Sequence, residues 1–171
     1  MNHFELFGLI CQFELDVNSL FYKYLDLQRR FHPDKFVIAS RKERQLAVQK
    51  ITQINDAYQT LRDPMHRAEY MISLKGLELC DEQQMMTDHE FLLQQMELRK
   101  ELEEIAESDE PDLLLFDFEK KTNSIHKELL SELADAFDDA CYVAAATLVS
   151  KLKFLVKLKQ EIERIEDRLL D

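Results

Sequence analysis

Residues 23–35 read KYLDLQRRFHPDK, a basic amphipathic segment that runs into the tripeptide His32-Pro33-Asp34. Proline at position 33 disfavours the helical conformation of the residue before it, so a helix through this segment has to end at His32. We therefore expect the imidazole of His32 and the carboxylate of Asp34 to be exposed on a loop. Apolar residues recur at spacings of four, three and four, which places them on one helical face: Leu20, Tyr24, Leu27 and Phe31.

A second amphipathic helix follows this loop. Two apolar stripes joined by a short loop predict a helical hairpin, in which each helix buries the apolar face of the other. A further short helix is predicted after the hairpin, with Asp63 as its N-cap, Pro64 as its first residue and Gly76 as its C-cap. The apolar stripe of the second hairpin helix has spacings of four, three, four and three: Ala47, Ile51, Ile54, Tyr58 and Leu61.

The composition indicates an all-α protein. The 171 residues include only two glycines and three prolines, and 46% are hydrophobic, while almost no segment alternates with the period of a strand. No apolar run approaches the roughly 18 residues of a membrane span, and the N-terminus has no basic region followed by an apolar signal core. We therefore expect a cytoplasmic protein that does not bind a membrane.

Charge is distributed unevenly along the chain. Residues 1–80 carry a net charge of +1 and residues 81–171 carry −13, which together give −12. Binding to nucleic acid requires clustered basic residues that neutralise phosphates, so we expect no nucleic-acid partner. The basic residues that do cluster surround the HPD tripeptide: Lys23, Arg29, Arg30 and Lys35.

The second half of the chain shows three helical patterns, at about 88–107, 112–136 and 138–169. A three-helix bundle is the simplest packing that buries them. Periodicity is lost before them, so we predict one domain at 1–76, a linker at 77–87 and a second domain at 88–171. The expected core stripes are Leu114, Phe118, Thr122, Ile125, Leu129, Leu133 and Ala136 on the middle helix, and Leu148, Leu152, Leu155, Leu158, Ile162, Ile165 and Leu169 on the last.

The helix at 88–107 has two apolar faces on a helical wheel. One face, the expected core face, holds Phe91, Leu98, Leu102 and Ile105. The other groups large apolar residues with charged ones, which is typical of a binding patch, although a broad stripe buried against the first domain or a neighbouring helix has the same pattern. Its members are Leu92, Leu93, Met96, Glu97, Lys100 and Glu104, and Phe154 of the last helix could join them.

The N-terminal pattern resembles the J domain of the DnaJ-type co-chaperones of Hsp70. The resemblance rests on a short first helix (Phe4, Leu6, Phe7, Leu9), the basic helix, the HPD tripeptide and the run INDAYQTLRDP at 54–64, in the order of that family. The whole chain resembles the HscB family, J-type co-chaperones of iron–sulfur cluster assembly. The matching stretches are FELFGL at 4–9, YLDLQRRFHPDKF at 24–36, RAEY at 67–70 and FLLQQMELR at 91–99.

The resemblance implies two protein partners and no cofactor or metal. The specialised Hsp70 HscA would bind through His32, Pro33, Asp34, Lys23, Arg29, Arg30 and Lys35. The scaffold protein IscU would bind through Leu92, Leu93, Met96, Glu97, Glu104 and Phe154, with Lys100 standing where the family usually has an acidic residue. Eukaryotic members carry an N-terminal zinc module, so a start at the J domain implies a bacterial-type member, which we expect to be monomeric.

Two other functions fit parts of the sequence. An enzyme could use His32 and Asp34 as an acid–base or metal-binding pair, but the other histidines, at 3, 66, 89 and 126, form no HxxxH or ExxH motif. Cysteines at 11, 80 and 141 form no CxxC pair for zinc or a disulfide framework. A generic J protein that presents another client would be expected to carry a Gly/Phe-rich linker and cysteine-rich repeats, which this sequence does not contain.

Overall fold

The computed structural model describes residues 1–77 and 89–171, so the predicted linker and Cys80 lie almost wholly outside the described residues. Within them, every regular element is helical, which confirms the predicted all-α class. Contacts divide the chain into two compact units, Met1–Met71 and Ile72–Asp171. The domain limits at 76 and 88 stay predictions. The helices are α1 (His3–Leu6), α2 (Val17–Arg30), a 3-10 turn (Pro33–Phe36), α3 (Arg41–Arg62), α4 (Pro64–Leu74), α5 (His89–Ala106), α6 (Pro111–Asp138) and α7 (Tyr142–Leu170).

The first unit is built on the antiparallel hairpin of α2 and α3. The Asp16 carboxylate accepts hydrogen bonds from the backbone N–H groups of Asn18 and Ser19 (3.0 and 3.2 Å), which caps the start of α2. Ser40 caps α3 in the same way. The predicted stripes face each other: Leu20 is fully buried between the helices, as are Ala47, Ile54, Tyr58 and Leu61 on α3, while Tyr24, Leu27, Phe31 and Ile51 are half-buried.

Side chains of the RAEY run at 67–70 contact the segment that precedes the hairpin. The backbone N–H of His3 donates a hydrogen bond to the Tyr70 hydroxyl (2.9 Å), and the two rings stack with their centroids 4.3 Å apart. Arg67 is buried and donates to the Leu61 carbonyl oxygen (2.8 Å), with its guanidinium 5.2 Å from the centre of the Phe13 ring. Burial lowers the pKa values of both His3 and Arg67.

Helix α4 has the predicted ends. It begins at Pro64, after Asp63, whose carboxylate accepts from the Met65 N–H (3.4 Å). At its other end Gly76 has a φ of 73°, in the left-handed region that glycine adopts without a Cβ clash. The N–H groups of Gly76 and Leu77 donate to the carbonyl oxygens of Ser73 and Ile72, which closes the helix in a Schellman motif.

The second unit contains three long helices, and α6 packs extensively on α7. The four expected core residues of α5 are all buried, as are the predicted residues of α7 except Leu169. On α6 the prediction is wrong at the first turn, where Leu115 is buried and Leu114 is exposed. Cross-helix ion pairs join α5 to its neighbours, Arg99 to Glu161 at 2.7 Å and Lys121 to Glu101 at 2.8 Å.

Candidate partner-binding surfaces

The HPD loop (His32, Pro33, Asp34) forms the predicted exposed turn. Helix α2 ends at Arg30, and His32 has an extended backbone that opens the 3-10 turn at Pro33. The side chains of His32 and Asp34 are 55% and 87% exposed. Nδ1 of His32 lies 3.2 Å from the backbone N–H of Asp34, which donates to it, and 3.5 Å from the carboxylate of the same residue. The loop therefore presents an imidazole beside a carboxylate acceptor.

A polar clamp between α2 and α3 fixes the base of this loop. The Asn55 side-chain oxygen accepts hydrogen bonds from the Tyr24 hydroxyl (2.9 Å) and from the Gln28 amide. The ring of Tyr24 also stacks on that of Tyr58, with 4.1 Å between their centroids. These contacts are made by side chains of the last turns of α2, so the point where the chain enters the loop is held against α3.

The predicted basic residues differ in how freely they can meet a partner. Arg29 and Lys35 are exposed on either side of the loop. Arg30 is also exposed but pairs with Asp26 one turn earlier (2.9 Å). Lys23 is half-buried, and its ammonium group donates to the carbonyl oxygen of Phe7 (3.4 Å), so it ties α2 to the chain after α1. The sequence counted Lys23 among the basic residues around the HPD tripeptide and could not show this contact.

An apolar cleft of about 380 Å³ adjoins the loop and was not expected from the sequence. Phe31 and Phe36, the residues that flank the HPD loop, line it together with the exposed Leu46 of α3. The ammonium of Lys50 lies 5.9 Å from the centre of the Phe31 ring. One sequence signal pointed to this cleft. Leu46 is an apolar residue that stands one position before the core stripe, which begins at Ala47, and so lies outside that stripe.

The α5 patch (Leu92, Leu93, Met96, Glu97, Lys100, Glu104) faces away from the core, as the helical wheel indicated. Leu93 and Met96 are 59% and 60% exposed, and Leu92 is half-buried. All three charged members are exposed. The alternative in which this face is buried against a neighbouring helix is therefore wrong for Leu93 and Met96 in the described part of the chain.

Phe154 lies in a different environment from the rest of the predicted set. It is only 8% exposed and belongs to the bundle core, where its ring meets Phe91 edge to face with 5.8 Å between centroids. The guanidinium of Arg99 lies 5.3 Å from its ring centre and is held there by the ion pair with Glu161. Arg99 is thus a residue beside the patch that the sequence reasoning did not single out.

Across residues 1–77 and 89–171, no cluster of three or more His, Cys, Asp or Glu side chains has a geometry that could hold a metal ion. None of the helices within these residues has the length and hydrophobicity of a transmembrane helix. A helical hairpin that presents an exposed HPD loop beside exposed basic residues, followed by a three-helix bundle, defines a J-domain protein with an appended helical domain.

Comparison with known proteins gives the family. Residues 87–163 match the family described as "HSCB C-terminal oligomerisation domain". The chain is 54% identical over 170 residues to the co-chaperone protein HscB homolog of Vibrio atlanticus, and 50% identical over 171 residues to that of Photobacterium profundum, with 99% and 100% of each chain covered. It belongs to the HscB family of co-chaperones.

Solved structures of the family share the fold. The chaperone HscB from Vibrio cholerae superposes with a TM-score of 0.88 at 47% identity, covering 99% of both chains. Human co-chaperone protein HscB gives a TM-score of 0.89 at 26% identity, covering 97% of this chain and 82% of the human one. An all-α fold that combines a J domain with a C-terminal helical domain is therefore common to this chain and these two proteins.

Proposed function

We propose that this protein stimulates ATP hydrolysis by a specialised Hsp70 of the HscA type and delivers to it the IscU scaffold on which iron–sulfur clusters are built. The observation that carries the proposal is the HPD loop, where the imidazole of His32 and the carboxylate of Asp34 face solvent at the end of a basic helix. Two such groups fixed on one turn suit a directional contact with a folded protein. We place this activity in the cytoplasm, where ATP is available.

The basic residues would act first, at the encounter stage. Arg29, Arg30 and Lys35 are exposed charges at the rim of the contact, and charges in that position raise the association rate more than the final affinity. Their partner surface on the ATPase would be acidic. Because exposed charges are screened over about 8–10 Å at physiological salt, this steering should weaken as ionic strength rises.

The loop would act second, by favouring one state of the Hsp70. A protein can shift a partner's conformational equilibrium only by binding one state better than the other. The imidazole of His32 and the carboxylate of Asp34 are short, directional hydrogen-bonding groups, so they can distinguish two arrangements of the same surface. The hydrogen bonds would form in the state that hydrolyses ATP and would be lost in the other.

The α5 patch would hold the scaffold. Leu92, Leu93 and Met96 offer apolar area, and Glu97 and Glu104 border it with charge. Apolar anchors surrounded by polar residues are the usual arrangement of a protein interface. Linking this surface to a J domain raises the effective concentration of the scaffold near the Hsp70, without any new contact between those two partners.

Single-turnover ATP hydrolysis by HscA tests the loop. A lost hydrogen bond in a desolvated contact costs about 1–3 kcal/mol, so we expect His32→Gln to reduce stimulation by about 10-fold or more. His66→Gln is the matched control, because His66 of α4 is an equally exposed histidine whose Nδ1 also lies near a carboxylate, that of Asp63 (2.8 Å). Circular dichroism should show the same helix content for both variants.

The result would contradict the proposal if His32→Gln stimulated hydrolysis as well as the wild type. Equal loss in both histidine variants would instead indicate a general effect on the J domain. Adding IscU to the wild-type reaction tests the second half of the proposal, because delivery of the scaffold requires stimulation to rise further in its presence.

A further inference from the structure

A cleft of about 500 Å³ lies between α5 and α7 in the second unit. The buried side chains of Leu102 and Ile165 contribute the apolar part of its lining. Residues 81–171 contain only three arginines within a net charge of −13, and all three line this cleft: Arg99, Arg164 and Arg168. Their convergence on one site in an acidic unit is the observation from which we argue.

The two arginines of α7, Arg164 and Arg168, form no ion pair with the residues that the structure describes. Both are exposed. They are four residues apart, so their side chains are neighbours on the helix surface. Like charges at this spacing repel each other and destabilise the helix. A carboxylate bound between them would remove that repulsion, and guanidinium groups bind carboxylates through two parallel hydrogen bonds.

The opposite wall of the cleft carries the opposite charge. Glu103 and Glu107 line it from α5, again one helical turn apart, and neither forms an ion pair in the described part of the chain. Glu161 also lines the cleft but is paired with Arg99. The cleft is therefore polarised, with two unpaired cations on the α7 side and two unpaired anions on the α5 side.

The cleft continues the α5 patch. Arg99 follows Met96 by three residues on α5, which places it one turn further along the helix. Its guanidinium lies over the ring of Phe154 and its ion pair with Glu161 crosses to α7, so Arg99 forms the boundary between patch and cleft. A partner seated on Leu93 and Met96 would extend towards the cleft along the same side of α5.

We propose that this arginine cleft is a second contact surface for the scaffold held by the α5 patch, and that it takes a segment of that protein whose carboxylates face Arg164 and Arg168. The proposal rests on the proposed function. The apolar lining, Leu102 and Ile165, contacts the aliphatic part of such a segment. The charges on the two walls determine which side of the segment faces α7. The reversed orientation would place its carboxylates against Glu103 and Glu107.

Four variants test the cleft by titration calorimetry against purified bacterial IscU. The first is Arg164→Glu with Arg168→Glu, and the second is Glu103→Arg with Glu107→Arg. The third combines all four changes, which keeps the two walls complementary to each other but inverts the charge presented to a partner. The control is Lys157→Glu with Lys159→Glu, the same change of charge on exposed residues of α7 outside the cleft.

We expect the first variant to raise the Kd for IscU about 10-fold at low ionic strength and by less at high salt. The control should stay within about twofold, because it shares only the long-range change of charge. The four-residue variant should bind as weakly as the first while its urea unfolding midpoint stays at the wild-type value. If the charges serve folding alone, the first two variants should lose stability, and the four-residue variant should recover both stability and binding.

Two results would overturn the proposed role of the cleft. One is a Kd of the first variant for IscU equal to that of the control, and the other is recovery of binding in the four-residue variant. Replacement of Leu92, Leu93 and Met96 by Ala separates this outcome from a failure of the proposed function. If that replacement abolishes binding while the arginine variants bind normally, only the cleft is wrong. If the wild type does not bind IscU, the scaffold proposal and the cleft are both wrong.

Discussion

The HPD loop and the α5 patch present different kinds of groups to their partners. The loop offers an imidazole and a carboxylate, on His32 and Asp34, at a position fixed by Pro33 and by the clamp at Asn55. The patch offers Leu93 and Met96 on the surface of a regular helix. Hydrogen bonds depend on direction, whereas apolar contacts scale with area. The loop is thus suited to sensing a partner's conformation and the patch to retaining a partner.

The largest effect is expected where apolar area provides the affinity. Replacing Leu92, Leu93 and Met96 together by Ala should weaken scaffold binding by about 4–6 kcal/mol, as central interface residues do, and should leave the urea midpoint almost unchanged because the residues are exposed or half-buried. Calorimetric titration and a urea melt measure the two quantities. A large fall in the unfolding midpoint would show that these residues belong to the core.

Phe154 marks where the patch ends and the core begins. Because its ring is buried against Phe91, Phe154→Ala should cost about 3–5 kcal/mol of folding free energy through lost contacts and a cavity. Phe154→Leu fills more of the space and should cost less. Denaturant unfolding gives both values. Weak binding without any loss of stability would move Phe154 from the core to the binding surface.

The clamp at Asn55 tests whether the loop needs a rigid base. Asn55→Ala leaves the Tyr24 hydroxyl and the Gln28 amide without their acceptor, which should cost about 1–3 kcal/mol of stability. Stimulation of the ATPase should also fall, whereas scaffold binding should stay normal because the α5 patch is in the other unit. Normal stimulation by a destabilised Asn55→Ala variant would mean that Pro33 alone positions the loop.

Lys100 should give the smallest effect. Its side chain is exposed among the carboxylates of Glu97 and Glu104, and exposed charge pairs contribute about 0.2–1 kcal/mol. We expect Lys100→Glu to tighten binding to a scaffold that complements an acidic residue at this position, within that range. Lys100→Ala separates removal of the positive charge from addition of a negative one. Identical affinities for all three proteins would place Lys100 at the rim of the interface.

Local sequence rules were sufficient for the parts of the site that depend on neighbours in the chain. Proline chemistry placed the HPD loop, capping rules placed both ends of α4, and the wheel of α5 separated Leu98 and Leu102 from Met96. Each of these features follows from contacts within about one helical turn. The family resemblance then indicated which of the exposed groups would meet a partner.

Positions at the edge of a stripe could not be assigned in this way. Leu114 and Leu115 lie on either side of the α6 stripe, and only the direction of the neighbouring helices decides which is buried. The same holds for Phe154, just off the stripe of α7, and for Lys23, which reaches the Phe7 carbonyl oxygen. A periodicity of 3.6 residues defines the centre of an apolar face but not its width.

The sequence by itself determined the helices, their inward faces and the exposed HPD turn, because these depend on backbone preferences and on periodicity along one chain segment. Only the tertiary structure decided that Arg99 lies over the ring of Phe154 and that Arg164 and Arg168 line the same cleft as Glu103 and Glu107. These residues are about 60 positions apart in sequence. Their proximity depends on how α5 and α7 pack, and helix packing is set by the fit of whole helix surfaces.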